Sequence, residues 1–505
     1  STQNDAPQIV RIGLAERSYP IAIGTHLFSE AEAYASLPQG HCALIVTNTT
    51  VSPLYAGRLE SVLAASYSQV HRVVLPDGEA HKTCNKHIMN LKLRLTVMSF
   101  LQFFVWGAWL ITVANYWFGT KQWDGTQFGA IFSTMGIASI FMPTLCGIIA
   151  DRWMNAEKLY GILHILGGLT LLYVPQINDP SSFFWVILVA MIFYMPTIAL
   201  SNSVAYNALK NNKLDVVKDF PPIRVWGTIG FIVAMWITNL TGNKASENQF
   251  YIAAIAAIGL GIYSFSLPKC EPKHNTENNK SFVDLIGLSS FKLFADYKLA
   301  LFFVFSMFLG AALQLTNAYG DVFLDDFKHQ AEYADSFVVK YSTIIMSISQ
   351  ISETLFILAI PFFLKKFGIK QVMLFSMIAW VLRFGLFAYG NPTDGLWMII
   401  MSCIVYGMAF DFFNISGSLF VETSTDSTIR SSAQGLFMMM TNGFGAVFGS
   451  VSSGYIIDHF FTSSAGKDWH NIWLTFAIYA LMVAVLFAIF FKHKHKPEDL
   501  ENISH

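Results

Sequence analysis

Four ionisable side chains lie inside long apolar stretches of this sequence. Arg224, Glu353, Arg383 and Asp411 each stand among hydrophobic neighbours. Placing such a side chain at bilayer depth costs about 2.5–3.5 kcal/mol on insertion scales, so a membrane span seldom keeps one without a partner or a task. We therefore expect a functional site within the membrane that includes some of these residues.

Polar and aromatic residues accompany these charges at helical spacing. Residues three, four or seven positions apart share one face of a helix. Four such faces occur: Arg224, Thr228 and Phe231; Gln314 and Asn317; Gln350 and Glu353; and Tyr406 and Phe410, with Asp411 adjacent. The spacing predicts that four helices direct these side chains toward one site.

The residue types in these faces suit a neutral, planar solute that forms hydrogen bonds. A nucleobase can stack on Phe or Tyr, while its edge and the ribose hydroxyls contact Gln and Asn, which both donate and accept. Sugars also use amides and aromatic stacking, so a sugar is an alternative solute. A phosphorylated solute needs several convergent basic groups, whereas only Arg224 is available, with Arg383 more distant.

The carboxylates indicate how transport can be driven. A desolvated Glu or Asp can take up a proton and a nearby Arg stabilises its ionised form, so an exchange of partners can load and release a proton. We expect Glu353 with Arg224 to be this pair, and Asp411 to be a second candidate. A structural explanation is also open, because amides in membrane helices often serve only to link helices. For Arg383, near a helix end, we expect a structural or snorkelling role rather than contact with the solute.

The composition agrees with a membrane protein. Of 505 residues, 54% are hydrophobic and 13% are charged, where soluble domains have about a quarter charged residues. Five scattered cysteines without a C-x-x-C spacing predict neither a zinc site nor a disulfide framework, and we expect no cofactor. The sequence has no acidic or basic tail that would suggest a nucleic-acid partner. The polar N-terminus lacks the apolar core of a signal peptide, so export as a soluble protein is not expected.

Twelve apolar segments follow residue 92, each long enough to cross a hydrocarbon core of about 30 Å. They lie near 93–117, 126–149, 159–177, 182–206, 222–240, 249–267, 297–319, 338–364, 369–389, 395–420, 432–457 and 470–491. A long polar loop divides them six and six, which is the layout of a transporter built from two related halves. The predicted fold is an all-α membrane protein with twelve transmembrane helices in two six-helix halves, preceded by a short α/β fragment.

Loop charges predict the orientation. Lysines and arginines concentrate in one set of loops, while the opposite set holds only Lys121, Lys244, Lys328, Lys340 and Lys467. The positive-inside rule then places both termini and the long central loop in the cytoplasm. We expect a multi-pass membrane protein with this orientation.

The predicted organisation has six parts. Residues 1–83 form an α/β extension, in which β-rich runs such as CALIVTN alternate with helix-like LYAGRLESVLAA. The remaining parts are a junction at 84–92, an N-terminal six-helix bundle at 93–267, a cytoplasmic loop at 268–296, a C-terminal six-helix bundle at 297–491 and a cytoplasmic tail at 492–505.

Several strings in the membrane part resemble one transporter family. GIIADRW resembles the G-x-x-x-D-R loop signature of the major facilitator superfamily, and LKKFGIK resembles its degenerate counterpart. DFPPIRVWGTIGF, MSISQISETLFILAIPFFL, VLRFGLFAYG, YGMAFDFFNISGS and SAQGLFMMMTNGFG closely resemble the nucleoside:proton symporter family of that superfamily, from Met89 almost to the C-terminus. The resemblance implies a monomeric transporter, not an enzyme, that imports purine and pyrimidine nucleosides with protons across the bacterial inner membrane by alternating access.

The same resemblance assigns a nucleoside site. It comprises the residues that spacing had already grouped: Arg224, Thr228, Phe231, Gln314, Asn317, Gln350, Glu353, Tyr406, Phe410 and Asp411. One departure is Ala312, where the enterobacterial permease of this family has an acidic residue.

The N-terminal part resembles a different family. ERSYPIAIG, LIVTN, SPLYAGRLESVLAA and VVLPDGEAHKT are similar to the first strands and helices of 3-dehydroquinate synthase, an NAD-dependent enzyme. That family's glycine-rich segment, catalytic lysines and zinc ligands would lie downstream, where this chain has membrane segments. We therefore do not expect that activity, although a membrane-tethered remnant of the enzyme is the alternative function. His81, Cys84 and His87 in the junction are interpreted as a linker rather than a metal site.

Overall fold

The computed structural model describes residues 8–12, 19–23, 40–77, 79–214, 216–272, 288–425 and 430–494, with the single positions 27, 34 and 37. The chain divides into two compact units, Ser1–Leu91 and Lys92–His505. The side chains of the junction residues His81, Cys84 and His87 lie outside the described part, as does most of the predicted loop at 268–296.

Two small sheets form the described part of the first unit. Strand β1 (Gln8–Ile12) pairs antiparallel with β2 (Tyr19–Ile23). Strand β3 (Cys42–Asn48) pairs in parallel with β4 (Gln69–Leu75), and helix α1 (Gly57–Leu63) connects them. Parallel sheets are normally covered on both faces, yet Leu44 and Val46 in β3 are 61% and 60% exposed. Within the described residues, this sheet lacks the cover of a complete α/β domain.

Long helices make up most of the rest of the chain. The elements before the central loop are α2 (Glu79–Gly107), α3 (Gly125–Arg152), α4 (Ala156–Tyr173), α5 (Pro180–Asn211), α6 (Val216–Leu240) and α7 (Asn248–Ser264). Between α2 and α3 the chain passes through a turn and a π-helical segment at Asn115–Thr120. The first predicted segment, 93–117, is therefore a continuous α-helix only as far as Gly107 and becomes helical again after the turn.

A second group of helices follows the central loop, after a 3₁₀ segment at Leu288–Ala295. These are α8 (Tyr297–Asp326), α9 (Ser342–Tyr389), α10 (Leu396–Ser424), α11 (Arg430–Met438), α12 (Gly445–Phe460) and α13 (Trp469–Phe490). A single helical turn, Phe337–Lys340, precedes α9, and a short hairpin of β5 (Thr462–Ser463) and β6 (Gly466–Lys467) precedes α13.

The all-α membrane fold preceded by a small sheet region is confirmed, but the count of twelve spans stays a prediction. In the described residues, nine helices are long and apolar enough to cross a membrane. Helix α9 joins two predicted segments and is interrupted at Gly368, whose φ of 79° is not helical. Helix α7 has only 17 residues. The predicted segment 432–457 is divided into α11, a π-helical segment at Met439–Phe444 and α12.

Helix α13 illustrates how these helices meet lipid. One face packs inward, where Trp473 and Phe487 are fully buried. The other face is equally apolar but exposed, with Ile478, Met482, Val485 and Ile489 on it. A helix that is hydrophobic on all sides is suited to a membrane interior rather than to water.

Candidate functional site

A cavity of about 190 Å³ lies among the helices of the second unit. Its lining comes from α2 and the turn after it, and from α6, α8, α9 and α10: Phe103, Trp106, Leu110, Arg224, Thr228, Phe231, Leu313, Asn317, Gln350, Glu353, Tyr406 and Phe410. Eight of the ten residues predicted as a site are in this set. Helices from both halves of the membrane part therefore contribute to one cavity.

Gln314 and Asp411 are the two predicted residues that do not line the cavity. Gln314 is 9% exposed and Asp411 is 4% exposed, so both side chains are packed among helices. Within the described part of the chain, Oε1 of Gln314 and Oδ2 of Asp411 have no hydrogen-bond partner. Leaving a buried polar atom unpaired is costly, so these atoms are candidates for contacts made in another conformation.

Aromatic rings line much of the cavity. Tyr406 and Phe410 on α10 are stacked with ring planes 9° apart and centroids separated by 6.3 Å. Trp106 on α2 meets Phe231 on α6 edge to face, with centroids 6.4 Å apart. Such rings offer apolar faces against which a planar solute can stack.

Four lining residues were not predicted from the sequence: Phe103, Trp106, Leu110 and Leu313. The first three are spaced at i, i+3 and i+7, which does place them on one helical face. Aromatic residues nevertheless make up 15% of the chain. Their type alone therefore does not separate a cavity wall from a lipid-facing surface.

Arg224 and Glu353 bring opposite charges to the same cavity from α6 and α9. They form no ion pair with each other among the described residues. The guanidinium of Arg224 instead lies over the ring of Phe103, 4.0 Å from its centroid. In the described lining, Glu353 is the acidic residue and Arg224 is the basic residue. Each side chain can therefore interact with a solute or with the other.

Two glycines allow the helices around the cavity to approach closely. A Cβ on Gly227 would lie 2.6 Å from Cδ2 of Phe103 and 2.8 Å from Nη1 of Arg224. A Cβ on Gly407 would lie 2.6 Å from the carbonyl carbon of Ser352, where α10 crosses α9. Small residues at such crossings permit tight packing of membrane helices. These two positions therefore fix the spacing of the cavity walls.

A buried polar network holds α2 against α4 and α5. Oε1 of Gln102 accepts hydrogen bonds from the Tyr160 hydroxyl at 2.7 Å and from Nε2 of His164 at 2.8 Å. The Gln102 amide donates to Thr197 at 2.9 Å, and Tyr194 donates to the Gln102 carbonyl at 2.7 Å. Because an amide oxygen only accepts, Nε2 of His164 carries the proton in this arrangement. The network positions the helix that supplies the cavity residues Phe103 and Trp106.

Arg383 lies outside the cavity lining. It is fully buried, and its Nε and Nη2 donate to Oγ1 of Thr316 at 3.0 and 2.7 Å. Its guanidinium carbon is 5.3 Å from the ring centroid of Tyr406. These contacts indicate that Arg383 supports a cavity aromatic and links helices, as a structural residue does.

At one end of the helices the two halves make direct polar contacts. Nζ of Lys244 lies 2.7 Å from Oδ1 of Asp325, and Thr126 donates to Asp458 at 2.8 Å. The Asn239 amide donates to the backbone carbonyl of Lys340 at 3.0 Å. In the part of the chain that the structure describes, polar contacts between the halves lie at this end, which we call the closed end.

Comparison with known proteins assigns the membrane part to one group. The family described as Nucleoside H+ symporter matches residues 89–496. The nucleoside permease NupG of Escherichia coli (strain K12) is 49% identical over 420 residues, which are 83% of this chain and 100% of that permease. The xanthosine permease of the same organism is 52% identical over 415 residues, covering 82% of this chain and 99% of the permease.

Solved structures agree with this assignment. A crystal structure of the nucleoside transporter NupG has a TM-score of 0.75 and 50% identity, and the match covers 80% of this chain and 100% of that chain. A POT family transporter in complex with 5-aminolevulinic acid has a TM-score of 0.58 at 13% identity, covering 79% and 95%. The second likeness concerns the fold alone. Both comparisons confirm the predicted fold class.

Proposed function

The chain belongs to the nucleoside H+ symporter family, and from this membership we propose that it imports nucleosides together with protons by alternating access. It is a transporter of the inner membrane rather than an enzyme. The observation that supports this most directly is the cavity itself, which combines aromatic faces, two amides, two hydroxyls, one guanidinium and one carboxyl. Such a lining suits a nucleoside better than it suits a charged solute.

We propose a division of labour within this lining. The stacked pair of Tyr406 and Phe410 offers a flat face for the base, because planar rings stack in offset geometry. The amides of Asn317 and Gln350 can each donate and accept, as the edge of a base and the ribose hydroxyls require. Oε1 of Gln350 has no partner among the described residues, which supports its use for a solute. Purine and pyrimidine nucleosides would both fit this scheme.

Proton coupling is proposed to depend on Glu353 and Arg224. The two residues line one cavity without forming an ion pair, so the carboxyl can be neutral while protonated and can turn to Arg224 when the proton leaves. An arginine stabilises the ionised carboxylate, whereas desolvation favours the protonated acid. A change in the distance between α6 and α9 during transport would then load or release the proton.

Gln314 and Asp411 are proposed to join the site in another state of the cycle. Each lies on a helix that already supplies a lining residue, Asn317 on α8 and Phe410 on α10. Both have an unpaired buried oxygen. A small rotation of these helices would bring either side chain to the cavity, and Asp411 would then offer a second protonatable group.

The orientation is proposed from loop charges and the closed end together. The closed end is formed near Lys244, Lys340 and Asp325, and its loops are those predicted to be periplasmic. If so, both termini are cytoplasmic and this structure opens toward the cytoplasm. We also propose that the transporter works as a monomer.

Uptake into cells tests the proposed function. A strain deficient in nucleoside transport that expresses the chain should accumulate radiolabelled uridine and adenosine, and a protonophore should abolish the accumulation. Excess unlabelled nucleosides should compete, whereas ribose and glucose should not. Absence of accumulation for every nucleoside tested would overturn the proposal, and competition by sugars would redirect it to the sugar alternative.

A further inference from the structure

A second cavity lies at the end of the helices opposite to the closed end. It has a volume of about 690 Å³ and is lined by Asp296, Lys298, Leu299, Lys370, Phe420, Thr423, Ser424, Lys492, His493 and Lys494. Four of these residues are lysines and one is a carboxylate. We call this cavity the lysine pocket. It shares no residue with the nucleoside site.

Two lysines of the lysine pocket have defined contacts within it. Lys370 donates to the backbone carbonyl of Ala488 at 3.2 Å. Lys298 lies 5.3 Å from the ring centroid of Phe420, and its Nζ is 2.9 Å from Nδ1 of His493. The carbonyl oxygen of Ala488 orients the ammonium group of Lys370 without cancelling its charge.

The carboxylate of the lysine pocket, Asp296, caps a helix. Oδ1 of Asp296 accepts the backbone N–H of Leu299 at 2.8 Å and so caps the first turn of α8. A cap of this kind is the usual role of an aspartate at this helical position. With four lysines against one carboxylate in its lining, the pocket carries a net positive charge, and an anion would relieve the mutual repulsion of its lysines.

The surroundings of the lysine pocket are apolar and exposed. Its inner wall includes Phe420, which is fully buried. Next to it, Ile489 and Phe490 at the end of α13 are 58% and 50% exposed, and Tyr297 at the start of α8 is 69% exposed. Aromatic and apolar side chains beside lysines at helix ends mark the level of lipid headgroups.

We propose that the lysine pocket binds the phosphate group of an anionic phospholipid, whose acyl chains lie along the exposed face of α13. Free phosphate shares the headgroup chemistry, but it makes no use of the apolar face formed by Ile489 and Phe490. Basic pockets between membrane helices are known to take such headgroups. This inference is independent of the transported solute.

Lipid binding to the purified full-length chain tests this proposal. Native mass spectrometry in detergent would count bound cardiolipin and phosphatidylglycerol, with phosphatidylcholine as the neutral lipid and inorganic phosphate as the free anion. The double variant Lys370→Gln/Lys492→Gln should bind anionic lipid at least tenfold more weakly, since each lysine near a headgroup makes a sizeable contribution. Phosphatidylcholine binding should not change.

A matched control removes the same charge from outside the pocket. Lys365→Gln/Lys366→Gln changes two lysines of α9 just before its interruption at Gly368. Neither lysine lines the cavity, so this variant should keep anionic lipid binding. An equal loss of anionic lipid binding in both double variants would overturn the proposal, because the overall positive charge of this end of the protein would then explain the binding. Inorganic phosphate that binds the wild type as well as the lipids do would also overturn it. So would lipid binding that appears only after truncation at Lys496, which removes Glu498, Asp499 and Glu501.

Discussion

At the scale of single residues, the carboxyl of Glu353 has the clearest consequence for transport. It is the acidic group of the described cavity lining, so its replacement by an amide of the same shape removes a proton site without opening a void. We expect Glu353→Gln to abolish accumulation of uridine against its gradient. Exchange of labelled for unlabelled uridine, which needs no net proton movement, should persist in part.

Proteoliposomes separate these two activities. Accumulation is measured with an imposed pH gradient, and exchange is measured with uridine on both sides and no gradient. Glu332→Gln is a suitable control, because Glu332 is exposed and lies outside the cavity. Unchanged accumulation in Glu353→Gln would remove Glu353 from the coupling role.

Trp106 offers a second residue-scale prediction, because it is an aromatic wall residue that the sequence did not single out. Its ring meets Phe231 and also Tyr194, 5.6 Å away between centroids. Stacking of a base on an aromatic side chain is worth roughly 1–3 kcal/mol. We expect Trp106→Ala to raise the KM for uridine by roughly tenfold, while Trp106→Phe keeps most of the affinity.

The control for this prediction is a tryptophan that faces outward. Trp185 on α5 is 63% exposed, and Trp185→Ala should leave the KM of uridine uptake unchanged. An equal KM for Trp106→Ala and the wild type would show that the ring only packs against its neighbours.

The candidate site could be predicted in part because polar residues are rare in membrane spans. Arg224, Glu353 and Asn317 stand out against apolar neighbours, and all three line the cavity. Asp411 follows Phe410 directly, and successive residues of a helix point about 100° apart. The rotation of α10 about its axis decides whether Phe410 or Asp411 points into the cavity. That rotation is set by packing rather than by the local sequence.

At the scale of elements, hydropathy predicted the helices better than their interruptions. Apolar length is a sum over many residues, so a long run such as α5 is recognised from composition. The break at Gly368 inside α9 depends on one backbone conformation with a φ of 79°. The π-helical segment at Met439–Phe444 likewise follows from packing against α8 and α3. Neither changes the hydropathy of its segment.

The closed end provides a prediction about elements, because the ion pair of Lys244 and Asp325 links the chain after α6 to the end of α8. Asp325 also contacts Lys328 at 2.6 Å, yet only Lys244 belongs to the other half. Removing one partner of a largely buried pair is strongly destabilising. We expect Lys244→Met to favour opening of the closed end by roughly fivefold in population.

Labelling measures this opening. A cysteine at Leu313, which lines the cavity, is introduced into a chain whose native cysteines are replaced, and an impermeant maleimide is added from the periplasmic side. Labelling should be faster with Lys244→Met and should return toward the starting rate when the charges are exchanged in Lys244→Asp/Asp325→Lys. Equal rates in the Lys244→Met and parent chains would exclude this pair as a determinant of closure.

At the scale of the whole molecule, all the features that explain transport lie in the second unit. The cavity proposed to bind nucleosides, the closed end and the lysine pocket are all built from residues after Lys92. The first unit has two small sheets with exposed apolar residues such as Leu44, and its sequence resembles only the start of an enzyme. The residues proposed for transport therefore all belong to the second unit.

This separation predicts that the N-terminal extension is dispensable for transport. The family match begins at residue 89, and the permease NupG is covered over 100% of its length by 83% of this chain. A chain that starts at Met89 should therefore transport uridine at a rate within about twofold of the full chain, since separate compact units usually fold independently. Uptake is normalised to the amount of protein in the membrane, so that altered insertion is not mistaken for altered transport. The isolated residues 1–83 should not convert the heptulosonate phosphate substrate of dehydroquinate synthase with NAD. A normalised uptake near zero for the shortened chain would contradict the prediction and would place part of the transport machinery before Met89.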